Sequence, residues 1–105
     1  MGRRGRDKPN EVSDNWPLTP LPDAVHEAVR RYVVNLRTAM GDESIRAAAA
    51  RTQVNYSTLH AILDGDAWPD AITVARTEHG FGRRLWDGPV ALPEDGAGER
   101  GQDRG

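Results

Sequence analysis

The sequence predicts an all-α protein: one small domain of four helices, five at most, between two disordered tails. Three observations predict it. Apolar residues recur at three- and four-residue spacing from Val25 to Met40, the period of a helix buried along one side. Two shorter helical stretches follow, separated by little more than Thr52-Gln53-Val54. No segment alternates apolar and polar residues as a half-buried strand would.

At 105 residues the chain has room for one domain. Residues 1–22 carry six of the Pro and Gly residues with few apolar ones, and residues 88–105 are mostly Gly, Asp, Glu and Arg. Neither stretch has the apolar surface to offset chain entropy, so both are expected as tails around a folded unit at 23–87. A unit of that size has a marginal core, which dimerisation would reinforce.

The elements follow in order. Pro22-Asp23 opens the first expected helix, Asp23 suiting the positive end of the dipole. Val25, Ala28, Val29, Tyr32, Val33, Leu36 and Met40 form its inner stripe, Arg30, Arg31 and Arg37 lie off it, and Gly41 ends it. Ser44 caps a second helix with Ile45, Ala48 and Ala49 inward, its four successive alanines favouring the helical state. Asn55 caps a third, with Leu59, Ile62 and Leu63 inward and Gly65 as its stop. Trp68-Pro69-Asp70 starts a fourth, with Ala71, Val74 and Ala75 inward, closed by Gly80. Phe81, Leu85 and Trp86 then lay apolar surface over the core from an irregular segment.

Charge is uneven along the chain. The total is −2, but residues 1–10 sum to +3, residues 11–22 to −2, residues 23–87 to −1 and the rest to −2. A near-neutral domain must make any electrostatic contact with nucleic acid through local patches. There is no cysteine, so neither a disulfide nor a thiolate metal site can form. His26, His60 and His79 lack metal-ligand spacing, so no metal or cofactor is expected. No apolar run approaches a signal peptide or membrane span, which points to a cytoplasmic protein with no membrane partner.

Residues 44–70 have the layout of a helix-turn-helix. Ala49 is the small residue such a motif needs where its helices cross, and Gln53 stands at the turn position that favours positive φ. Val54, Leu59 and Ile62 anchor the second helix on the first. Asn55, Tyr56, Ser57, Thr58 and His60 then supply polar and aromatic side chains at the tip that enters a major groove.

The chain resembles the lambda-repressor-like, or xenobiotic-response-element, helix-turn-helix regulators, in the variant common among actinobacteria and their phages. Four elements carry the resemblance in order: Ser44-Ile45-Arg46, Leu63-Asp64-Gly65, Trp68-Pro69-Asp70 and Leu85-Trp86. It spans about residues 24–87. It implies a sequence-specific double-stranded-DNA-binding transcriptional regulator, a repressor acting as a homodimer on the nucleoid. By the same resemblance Tyr56, Ser57 and His60 face bases. Asn55, Thr58 and the helix start at Ser44 hold phosphate, with Arg46 and Arg51 as the nearest cations. Arg3, Arg4 and Arg6 are candidates for a basic arm on DNA, or for a solvated chain start.

Three departures from the family pattern predict weak non-specific affinity. Gln53 replaces the usual turn glycine, at about 1 kcal/mol if its φ is positive. Asp64 and Asp66 occupy a loop that relatives often make basic. Asp42 and Glu43 add negative charge beside the second helix. These charges support the alternative of a protein-interaction or antitoxin-like module on the same fold, with a protein partner in place of DNA. An enzyme is not expected, because no nucleophile–base grouping, phosphate loop or carboxylate pair has motif context. Trp68 and Trp86 read as lids on the core, and Arg83-Arg84 as balance for Glu78 and Asp87. Trp16 reads equally as a partner anchor or as packing back on the first helix.

Overall fold

Asp23 starts the longest helix as its position suggests. Its carboxylate accepts the backbone N–H groups of Val25 and His26 at 2.8 and 3.0 Å. These bonds, that from His26 foremost, hold its carboxyl below the usual range. The computed structural model describes residues 7–88, in which five helices occur and no strand. In chain order they are α1 (Pro9–Val12), α2 (Ala24–Met40), α3 (Ile45–Thr52), α4 (Tyr56–Asp64) and α5 (Ala71–Phe81). The protein is all-α, and none of the described helices is long and apolar enough to cross a membrane.

The core gathers Tyr32, Val33 and Leu36 of α2, Ala48 and Ala49 of α3, Val54 of the turn, Leu59, Ile62 and Leu63 of α4, and Leu85. On α2 the buried stripe begins later than its periodicity predicts. Val25 is 69% exposed, and the inner face runs from Glu27 and Ala28 to Leu36.

Residues 7–22, expected within a disordered tail, instead form a strap packed on the domain. Pro9 is buried, the Asn10 N–H donates to the Gly65 carbonyl at 2.9 Å, and Asn10 Nδ2 donates to Asp66 Oδ1 at 3.0 Å. Trp16 packs against the core with its indole N–H on the Ile62 carbonyl at 3.4 Å, and meets Trp68 edge-on at 6.0 Å. Trp68 in turn stacks on His26 at 4.8 Å and donates to the Asp7 carbonyl at 2.6 Å. A buried ion pair clamps the end of the strap. Glu27 receives Arg30 at 2.7 Å and the Leu21 N–H at 2.8 Å, while Arg30 also donates to the Pro17 carbonyl at 3.0 Å. The Arg30 bond is the chief reason the Glu27 carboxyl lies below its ordinary range. A composition test misses such a segment because its anchors are single aromatic and polar contacts to distant residues. Residues 1–6 and 89–105, which hold the rest of the two expected tails, lie outside the described residues.

Two glycines do different work from their expected roles. Gly80 does not end α5, which continues to Phe81 and is capped by Gly82 at φ 66°. It marks a close crossing, since a Cβ there would sit 2.8 Å from the Thr52 Cα of α3. Gly65 does end α4, at φ 81°, and it also makes room for the strap, because a Cβ would meet the Trp16 ring at 2.9 Å.

The start and inner face of α5 also differ from expectation. Pro69 precedes the helix rather than opening it. Asp70 is the cap, its side chain accepting the Thr73 N–H at 2.8 Å. Ala71 and Ala75 are exposed, whereas Thr73 and Thr77 are buried beside the half-buried Val74. The reason lies in hydroxyl satisfaction: Thr77 Oγ1 donates back to the Thr73 and Val74 carbonyls at 3.0 and 2.9 Å, so it accepts from the Tyr32 hydroxyl at 2.8 Å. Burial pushes the Tyr32 pKa up to about 12. Beyond α5 the chain folds back because the Glu78 carboxylate accepts the N–H groups of Leu85 and Trp86 at 2.8 and 2.9 Å. Trp86 packs on the core beside Tyr32 as a lid, while Trp68 covers the strap.

Candidate nucleic-acid interface

The segment from α3 to α4 is built by its two caps and its turn. Ser44 Oγ accepts the Ala47 N–H at 3.0 Å, and Asn55 Oδ1 accepts those of Ser57 and Thr58 at 2.8 and 3.4 Å. Between the helices Gln53 adopts φ 61°, ψ 30°, the left-handed conformation in which a residue with a Cβ is strained by about 1 kcal/mol. Its N–H closes α3 on the Ala49 carbonyl, and its own carbonyl accepts Arg76 at 2.9 Å. Val54, Leu59 and Ile62 are buried, and they seat the inner face of α4 on the core.

The outer face of α4 is exposed. Tyr56, Ser57 and Thr58 lie in its first turn in contact with solvent, and His60 is half-exposed one turn on. Tyr56 and His60 are four residues apart and meet with ring centroids at 5.8 Å. Arg46, from the first turn of α3, lies 4.4 Å over the Tyr56 ring. His60 Nδ1 is 3.2 Å from the Asp64 carboxylate. A continuous surface row therefore runs Arg46, Tyr56, His60, Asp64. Ser57 and Thr58 flank it, joined to it only through the backbone of α4.

The candidate phosphate contacts divide. Arg46 forms no ion pair among the described residues, and its guanidinium faces solvent over an aromatic ring. Arg51 differs. Its guanidinium binds Glu43 at 3.0–3.2 Å and lies 5.4 Å from the Phe81 ring centroid, so its charge is already matched. The same pairing neutralises Glu43, one of the acids expected to oppose an anion here. Ser44 and Asn55 use their side-chain oxygens as caps, which leaves the N–H groups of Ile45 and Arg46 without a partner among the described residues. Arg3, Arg4 and Arg6 lie outside the described residues.

The acidic loop is occupied by the molecule itself. Asp66 receives Asn10 of the strap, and Asp64 faces His60. The His60–Asp64 contact was not anticipated from sequence. Its signal was present in the four-residue spacing on one helix face. Among the described residues no group of three His, Asp or Glu side chains is placed to hold a metal ion.

No protein-family model, curated protein or solved structure matches the chain.

Proposed function

We propose that this protein is a sequence-specific double-stranded-DNA-binding regulator of the lambda-repressor-like kind, with α4 entering the major groove. The observation that carries the proposal is the outer face of α4: a short helix, rigidly capped and anchored, that presents Tyr56, Ser57, Thr58 and His60 to solvent with Arg46 beside them. Side chains of these types match the donor and acceptor edges and the methyl groups of base pairs. The unpartnered amides at the start of α3 suit a phosphate, with Arg46 as the local cation.

The reading makes the protein a cytoplasmic, nucleoid-associated repressor that works as a homodimer on half-sites about one helical turn apart, with no cofactor and no catalytic chemistry. A second reading, a protein-binding module of antitoxin type, is favoured by one observation. Arg51 is neutralised by Glu43, which reduces the charge available for phosphate.

A gel-shift series against mixed genomic fragments separates the two. The DNA reading predicts retarded complexes at about 50 mM salt that weaken steeply as salt rises. No complex at about 50 mM would overturn it in favour of the protein partner.

A further inference from the structure

We propose that Arg76 of α5 grips a phosphate of the DNA backbone beside the turn that leads into α4. The inference rests on the reading of α4 as the major-groove helix. Arg76 is exposed, and its Nη1 donates to the Gln53 carbonyl at 2.9 Å. Gln53 stands two residues before Asn55, the cap of α4, so this bond fixes a guanidinium at the base of the helix tip. The groove that receives the tip runs between two phosphate backbones, and a cation so placed meets one of them.

The donors that remain on Arg76 suit an oxyanion. A guanidinium has a flat two-donor edge, Nε with Nη2, that matches two oxygens of a carboxylate or phosphate. Arg30 and Arg51 each spend that edge on a carboxylate of the protein, Glu27 and Glu43. Arg76 is anchored through Nη1 instead, and its Nε and Nη2 have no partner among the described residues. The cleft that it lines between α3 and α5 also holds Arg51 and His79, and no acidic side chain lines it. Arg37, Arg83 and Arg84 likewise form no ion pair among the described residues, but no side-chain hydrogen bond ties them to the turn. The anchor matters because a side chain already held loses less freedom on binding. Sequence reading passes over Arg76 because that anchor lies 23 residues away, on another element.

The test is the salt dependence of duplex binding by the full chain and by Arg76→Ala, Arg76→Lys and Arg83→Ala, each checked by its melting curve. One phosphate contact contributes about 0.9 to the slope of log affinity against log salt. Arg76→Ala should lower the slope by about that much, so between about 50 and about 200 mM salt it should lose about three- to fourfold less affinity than the parent. It should weaken a selected site and unrelated duplex alike, because a phosphate contact carries no base information. Arg76→Lys keeps the charge and should keep the slope. Arg83 lines a different cleft, with Asn35 and Thr38 of α2, and Arg83→Ala should leave the slope unchanged. The inference falls, with the DNA reading intact, if Arg76→Ala leaves the slope unchanged. It falls equally if Arg83→Ala lowers the slope as much, which makes the effect one of net charge. A slope lowered as far in Arg76→Lys as in Arg76→Ala would make the bond to Gln53 merely structural and overturn it too. If the parent binds no duplex at about 50 mM salt, where phosphate contacts are strong, the DNA reading fails and takes this inference with it.

Discussion

The two ends of the molecule put their polar groups to opposite uses. Around α2 and α5 the buried and half-buried polar side chains are closed on the protein: Tyr32 on Thr77, Glu27 on Arg30 and Leu21, Glu78 on Leu85 and Trp86. Across the α3–α4 face the two cap oxygens are closed on the backbone, and the row from Arg46 to Asp64 stays at the surface. The first arrangement stabilises a fold whose apolar core is small. The second adds little stability and keeps donors, acceptors and an aromatic ring available to a partner. On the proposed reading, stability and recognition fall on different residues of one short chain, which makes them separable by substitution.

The largest effect should come from loosening the exposed face from the core beneath it. Leu59 is fully buried in the core that α4 shares with α2 and α3. Leu59→Ala should cost about 2–5 kcal/mol through lost burial and the cavity left behind, read as a fall in the denaturation midpoint. A loss well under about 1 kcal/mol would mean that α4 is not anchored as described.

The closed region should also dominate the pH dependence. Hydrogen bonds from the Trp86 and Leu85 N–H groups hold the Glu78 carboxyl below its ordinary range, and Glu27 is lowered chiefly by Arg30. A depressed carboxyl contributes stability that is complete above its unfolded value, about 4.3, and is lost as pH falls through the folded value. Melting temperature should therefore hold from neutrality to about pH 5 and drop below it, with a shallower drop in Glu78→Gln. An equal acid slope in that variant would remove Glu78 from the account. Tyr32, raised to about 12 by burial, has the opposite sign: its contribution is complete below about pH 10 and is lost above it.

How much of this was legible in the sequence depends on how local each feature is. Asp23, Ser44, Asn55, Gly41 and Gly65 are readable because a cap acts on amides or carbonyls within one turn. The strap was not readable, because Asn10 and Trp16 find their partners at Gly65, Asp66 and Ile62, about fifty residues away in sequence. Gly80 reads as a stop by residue type, yet its role is set by the backbone of Thr52 on another helix. The exposed tip followed from helical spacing alone, since Leu59, Ile62 and Leu63 define the buried side. The matching of Arg51 to Glu43 did not, because it joins a loop to the far end of the next helix, eight residues on.

A smaller effect tests the strain at the turn. Gln53→Gly relieves the left-handed conformation but loosens the unfolded chain, so it should stabilise by no more than about 1 kcal/mol. A destabilisation greater than about 1 kcal/mol, more than the looser unfolded chain accounts for, would show that the Gln53 side chain has a role beyond the turn.

The smallest effect on stability should accompany the largest on recognition. Tyr56 and His60 contribute little to the core, and the double variant Tyr56→Ala/His60→Ala should keep its denaturation midpoint within roughly 0.5 kcal/mol of the parent. Measuring that variant's binding to a selected site against unrelated duplex, beside its melting curve, tests the central claim most directly. The account predicts a folded protein that no longer distinguishes the two DNAs. A folded protein with undiminished sequence preference would contradict it and move recognition away from α4.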